Sequence, residues 1–200
     1  MLFRGFPMTS IGDAEPLAST DRLILRRFVP EDFVAYSAYR SLPEIYRFLY
    51  RDPPSPEVLR ERFDIRLNSP FSEDGDTLLC AVIRREDGAL VGDVSLTFAN
   101  KAALQAELGY TSNPTYARKG YATEAAEAMI TLGFEKFGFH RIFARLDAKN
   151  AGSVGVVERL GLRREALLIE NDRFNGVWGD ECVYAVLNRE WAARASKRSS

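Results

Sequence analysis

Two cysteines and one histidine in 200 residues leave little material for a disulfide framework or a metal centre. Cys80 and Cys182 each sit in an apolar, strand-like run, which reads as a pair of buried thiols. His140 stands alone beside a predicted strand start, with no partner at ligand spacing, so no metal site is expected. No nucleophile-elbow motif accompanies it either, which leaves a catalytic triad without support. Long hydrophobic runs are also missing: none approaches the ~20 residues a membrane span needs. The stretch from Met1 to Leu17 carries Arg4 but interrupts its apolar residues with Gly, Pro, Asp and Glu, a poor secretion signal. Charge of one sign is not in excess. Lys and Arg number 27 against 28 Asp and Glu, a formal net charge of -1, so no global basic field exists to hold nucleic acid. These absences together point to a cytoplasmic protein with neither nucleic-acid nor membrane partners.

What is present suits one domain. Hydrophobic residues make up 46% and aromatics 12%, enough for a sizeable core at this length. Residues 1–18 read as an N-terminal extension, 19–192 as the domain and 193–200 as a solvated C-terminal tail. From Thr20, TDRLILRRF alternates apolar and charged residues as a half-buried strand does. Pro30, Glu31 and Asp32 open a helix, and a second begins near Ser55-Pro56-Glu57. Three strands joined by short turns follow, at Thr77–Arg85, Ala89–Ala99 and Leu104–Asn113, so the spacing predicts antiparallel neighbours. A helix from Tyr121 to about Phe137 shows an apolar face at helical spacing. A strand at Arg141–Ala148 precedes a helix from Asn150 to Leu160, capped by Asn150 and ended by Gly161. Two last strands, Ala166–Asn171 and Cys182–Leu187, flank a turn at Asn175-Gly176. Trp178 and Tyr184 are expected to pack between them, with Asp180 in a turn or a substrate pocket. The order is that of an α/β (α+β) domain with a mixed sheet.

The segment with the most chemistry runs from Glu107 to Ala125: a strand, a proline stop, YARKGYATEA, then a helix. A loop of free backbone N–H groups feeding a helix N-terminus is an anion site. Gly120 lets a ligand approach the backbone, and Arg118 and Lys119 add positive charge, so a phosphate or pyrophosphate fits. Neither G-x-G-x-x-G nor G-x-x-x-x-G-K-[ST] is present, which separates the loop from dinucleotide and P-loop sites.

With these motifs in order, TDRLILRRFVPED, AELGYTSNP, KGYATEA, NAGSVGVVERLGL and NGVWGDECVYAVLNREW, the chain resembles the GNAT N-acetyltransferase superfamily, and within it the RimJ/RimL-type branch, over roughly Thr20 to Trp191. The resemblance implies a mostly antiparallel sheet of about seven strands and about four helices. Its fourth and fifth strands, here Leu104–Asn113 and Arg141–Ala148, would splay and admit the pantetheine arm of acetyl-coenzyme A. It also implies backbone contacts from Tyr110, Thr111 and Ser112 to that arm. The N–H groups of Arg118, Lys119, Gly120, Tyr121, Ala122 and Thr123 would meet the pyrophosphate, with Asn150 and Ser153 beside the cofactor. Glu107 is the expected base, and Ser153 the candidate acid for the leaving sulfur.

Three positions depart from the family pattern. Ala117 stands where glutamine or arginine is usual, and Arg118 where the branch commonly has glycine. A positive φ at Arg118 would be costly. The tyrosine expected seven residues after Asn150 is Val157. The implied reaction is acetyl transfer to an amine without a metal. The acceptor suggested by the branch is a protein N-terminal α-amine. The alternatives are a small-molecule amine (antibiotic, polyamine or amino acid) or a coenzyme-A-binding sensor without turnover. The loop from Leu42 to Pro56 and the segment from Asp172 to Asp180 are expected to shape the acceptor choice. The closing strands also offer a surface for a homodimer.

Overall fold

The structure, a computed structural model, describes residues 15–198, with side chains as far as residue 194. Residues 1–14 of the expected extension and the last two of the expected tail lie outside the described residues. The strands are β1 (Pro16–Ser19), β2 (Leu23–Arg27), β3 (Thr77–Arg84), β4 (Leu90–Asn100), β5 (Gln105–Ser112), β6 (Arg141–Asp147), β7 (Arg163–Phe174) and β8 (Val177–Leu187). The helices are α1 (Phe33–Arg40), α2 (Pro43–Tyr46), α3 (Pro56–Leu67), α4 (Tyr121–Glu135), α5 (Ala151–Arg159) and α6 (Asn188–Arg198). The strands form one sheet in the order β1-β2-β3-β4-β5-β6-β8-β7. Every pairing is antiparallel except β5 with β6, between which α4 makes the crossover.

The mixed, mostly antiparallel sheet is the expected class, with one strand and two helices more than anticipated. The additional strand is β1, so the boundary placed after residue 18 moves. Residues 16–18 belong to the sheet, and Leu17 is buried in the main core. At the other end, residues 193–198 continue α6. The two closing strands are longer than their apolar centres suggested. Tyr184 is buried and donates to Glu158 Oε1 at 3.0 Å, but Trp178 is half exposed under the Arg173 guanidinium. Asp180 lies within β8 and accepts from the Glu170 N–H at 2.8 Å. Cys80 and Cys182 are free, buried thiols. Among the described residues no helix is long and apolar enough to cross a membrane.

Burial on both sheet faces explains the sequence of β3, LLCAVI. Leu78, Cys80 and Val82 face the core under α4, while Leu79, Ala81 and Ile83 face α1 and α3. Against the first face α4 lies close, because its Gly133 has no Cβ. One there would stand 2.7 Å from Ile142 Cδ1 and 3.0 Å from Leu96 Cδ1. On the second face Phe28, Phe33, Tyr36 and Phe63 pack edge to face or tilted, with centroids 5.1–5.5 Å apart. Beneath them a buried ion pair ties α1 to β4. Arg40 donates to Asp93 through Nε at 3.0 Å and NH2 at 2.6 Å, and the Tyr39 hydroxyl donates to the same carboxylate at 2.5 Å.

Asp93→Ala would leave the Arg40 guanidinium buried without its partner. It should lower the unfolding free energy by about 3–5 kcal/mol, read from the urea midpoint, and a loss below about 1 kcal/mol would show the pair to be solvated.

Candidate active site

The sheet opens at its parallel pair. β5 and β6 are in register only at Gln105↔Arg141, Ala106↔Ile142 and Glu107↔Phe143. Beyond Glu107, β5 continues to Ser112 paired with β4 alone, and β6 continues to Asp147 paired with β8 alone. The backbone of residues 108–112 therefore presents an open edge toward the gap, with peptide groups that need partners. Gly92, opposite Ser112, is required here, since a Cβ would collide with the Thr111 carbonyl oxygen.

A cleft of about 720 Å³ occupies this gap. One wall is the open edge at Tyr110, Thr111 and Ser112. Its floor is the loop and first turn of α4, Arg118, Gly120, Tyr121, Ala122 and Thr123. The start of α5, Asn150 to Ser153, forms the opposite wall. Ten of the predicted cofactor residues thus meet in one place. Two predicted residues do not line the cleft. Lys119 puts its ammonium 5.7 Å over the Tyr116 ring and keeps only its backbone in the loop. Glu107 sits at the apex, where the strands part.

Local hydrogen bonds shape the loop. Asn113 accepts from the Thr115 N–H at 3.1 Å and starts a 3-10 turn over Pro114–Tyr116. Arg118 then takes φ +62° and Gly120 φ +81°, the left-handed conformations that turn the chain into α4. For glycine this is cheap; for arginine it costs about 1–2 kcal/mol. The sequence therefore carries strain where the family pattern has glycine. Intrahelical bonding resumes with Glu124 N–H donating to the Gly120 carbonyl at 3.1 Å. The amides of Tyr121, Ala122 and Thr123 remain free for an anion.

Arg22, which the sequence did not single out, clamps this turn from the start of β2. Its Nε donates to Glu124 Oε2 at 2.7 Å, its NH1 donates to the Lys119 carbonyl at 3.1 Å, and its guanidinium lies 4.9 Å from the Tyr121 ring centre. Arg159 was missed as well. From the end of α5 it lines the cleft and donates to Thr123 Oγ1 at 3.2 Å. Both lie far in sequence from the loop they serve, and no local pattern marks them.

At α5, Asn150 caps the helix by accepting from the Ser153 N–H at 3.1 Å, and the Ser153 carbonyl accepts from the Tyr110 hydroxyl at 2.7 Å. Burial raises the Tyr110 phenol above its ordinary range, against the milder effect of that bond. Val157 is fully buried, so the position of the usual tyrosine belongs to the core.

On the face toward α1 and α2, charge gathers. Glu107 pairs with Arg145, Oε1 to Nε at 3.2 Å and Oε2 to NH2 at 3.3 Å. Glu181, across from Asp147, is raised above the usual carboxylate range by burial and then by Asp172 and Glu107, with Arg145 opposing. This bank suits a cation. Among the described residues no group of three or more His, Cys, Asp or Glu could hold a metal.

An open strand edge for an amide-bearing arm, free amides for a pyrophosphate and the Arg118 and Arg159 guanidiniums beside them fit acetyl-coenzyme A by their donor chemistry. Comparison with known proteins agrees. The family described as "Acetyltransferase (GNAT) domain" matches residues 22–163. The chain is 30% identical over 173 residues to the uncharacterized N-acetyltransferase YnaD of Bacillus subtilis, covering 86% of this chain and 98% of that one. It is 25% identical over 107 residues to the spermidine N(1)-acetyltransferase of Escherichia coli, 54% of this chain and 58% of that one. A GNAT-family acetyltransferase structure from Bacillus anthracis superimposes with a TM-score of 0.78 at 28% identity, covering 86% of this chain and 99% of that one.

The strain at Arg118 is testable. Arg118→Gly should hold or raise stability by up to about 1 kcal/mol, whereas Arg118→Val, β-branched at a positive φ, should lower it by at least about 1 kcal/mol. Urea unfolding checks both, and equal effects would remove the left-handed turn from the account.

Proposed function

The chain belongs to the GNAT family and is an N-acetyltransferase, and on that premise we propose that it moves the acetyl group of acetyl-coenzyme A onto a primary amine of a cationic acceptor, in the cytoplasm. The observation that carries the reading is the parting of β5 and β6 after three register pairs, with the free amides of α4 at one end of the gap. In this proposal Tyr110, Thr111 and Ser112 receive the pantetheine arm along their backbone. The amides from Arg118 to Thr123 hold the pyrophosphate.

The acceptor nitrogen attacks the thioester carbon, a C–N bond forms, and the carbonyl oxygen becomes an oxyanion that the Thr111 or Ser112 N–H stabilises. The C–S bond then breaks and the thiolate takes a proton. Glu107, directly or through water, accepts the proton that the amine loses. Ser153, in the first turn of α5, is the hydroxyl offered to the sulfur, and with a leaving group this good its contribution is small. The RimJ/RimL likeness of the sequence favours a protein α-amine. A second reading, a small polyamine, is supported by the carboxylates Glu107, Asp172 and Glu181 around Arg145 and by the spermidine-acetylating relative. A homodimer through the closing hairpin is part of the proposal, because Leu167, Ile169, Val177 and Trp178 stand exposed there.

Thiol release from acetyl-coenzyme A with spermidine and with short peptides, followed by intact-mass detection of the acetylated product, decides the acceptor. Binding of coenzyme A without release by any amine would leave the sensor reading in its place. Glu107→Gln should lower kcat at neutral pH by about 100-fold and change the pH–rate profile, with coenzyme A affinity kept. An unchanged profile would exclude Glu107 as the base. Ser153→Ala should cost less than about tenfold in kcat.

A further inference from the structure

We propose that Tyr50 is a specificity-determining residue: its ring, laid against the Gly179 backbone and tied to Asp147, is the wall that limits the breadth of the acceptor amine. The inference rests on the acetyltransferase reading and deepens it. The fold brings together two segments far apart in sequence, the stretch after α2 and the β7–β8 hairpin, and Tyr50 stands where they meet.

Tyr50 lies in the stretch after α2 and takes φ +49°, a left-handed conformation that a bulky side chain adopts only when its surroundings hold it there. Two contacts do so. The Tyr50 hydroxyl donates to Asp147 Oδ2 at the end of β6. Its ring occupies the space a side chain would fill at Gly179 of β8. A Cβ at that glycine would lie 2.7 Å from Tyr50 Cε1 and collide with the phenol carbon and oxygen. The other end of the segment is anchored to α1, where the buried Tyr46 hydroxyl donates to the Arg40 carbonyl at 2.8 Å. Between these anchors Phe48 and Leu49 line the cleft, as does Ile45 just before them. The segment is a strap: one end fastened to α1, the other to the β6–β8 bank, passing over the gap where β5 and β6 part.

The wall's position follows from register. Asp147 is two residues beyond Arg145 on β6, so the two side chains share a sheet face about 7 Å apart. Arg145 pairs with Glu107 at the apex of the gap. An amine approaching the thioester on that face passes between the Glu107–Arg145 pair and the Tyr50 ring. A slender chain passes; a broad one meets the ring. Burial and the neighbouring carboxylates Asp147, Asp172 and Asp180 raise the Tyr50 phenol above its ordinary range, so it stays a neutral donor at physiological pH and the tie holds.

The test compares spermidine with a tetrapeptide α-amine as acceptors. Tyr50→Ala should raise the peptide-to-spermidine ratio of kcat/KM at least about tenfold, with coenzyme A affinity within about twofold by calorimetry. Gly179→Ala, which displaces the ring without removing it, should move the ratio the same way. Tyr50→Phe keeps the ring and should stay within about threefold of wild type. The proposal is overturned if a folded Tyr50→Ala protein leaves the ratio unchanged, or loses coenzyme A affinity as much as acceptor KM. Should the wild type acetylate neither amine, the acetyltransferase reading itself falls for these acceptors. The wall is then judged by hydrolysis of acetyl-coenzyme A without amine, which Tyr50→Ala speeds at least about fivefold if the ring screens the thioester and leaves unchanged if it does not.

Discussion

Parallel pairing that stops after three residues is the constraint on which the rest depends. Had β5 and β6 stayed in register, their peptide groups would satisfy each other and no gap would exist. Each strand is instead held along its outer edge, β5 by β4 and β6 by β8, so both are rigid while the space between them stays open. An open β edge inside a folded domain calls for a partner with alternating amide donors and acceptors. The free ends of α4 and α5 then place two positive helix termini at that edge.

Much of the remaining structure holds the two banks at fixed separation. On the α4 side, Gly133 lets the helix sit against Leu96 and Ile142, so its N-terminus is delivered to the gap at a set depth. Arg22 pins the turn into α4 through Lys119 and Glu124, which is how Arg118 is kept in a conformation it would not choose in isolation. On the other face, the Arg40–Asp93 pair fastens α1 to β4, and Tyr46 fastens α2 to α1. The strap is therefore tied to the sheet through α1. Tyr50 and Arg118 are two of the five non-glycine residues that take left-handed conformations among the described residues, and both are held by contacts with distant parts of the chain.

The fold class was legible because its signals are local. Alternation marked β2, the short turns between them marked β3, β4 and β5, and Pro30, Asn150 and Gly161 marked where helices begin and end. β1 escaped because four residues with a proline carry no periodicity of their own. α6 escaped because a charged run reads as solvated whether or not it is helical. The free amides at the start of α4 were legible because a helix N-terminus leaves consecutive N–H groups without intrahelical partners. Val157 could be read as a departure, but only packing shows that it belongs to the core.

The amino-acid order alone determined most of the elements, the family resemblance and the free amides at the start of α4, since each arises from residues within a few positions of one another. Tertiary structure decided what depends on distant partners: that Glu107 meets Arg145, that Arg22 and Arg159 reach the loop, and that Tyr50 settles on a glycine more than a hundred residues away. The physical reason is that a backbone conformation has a local energy. A salt bridge or a wall has none until the chain has closed the distance between its parts.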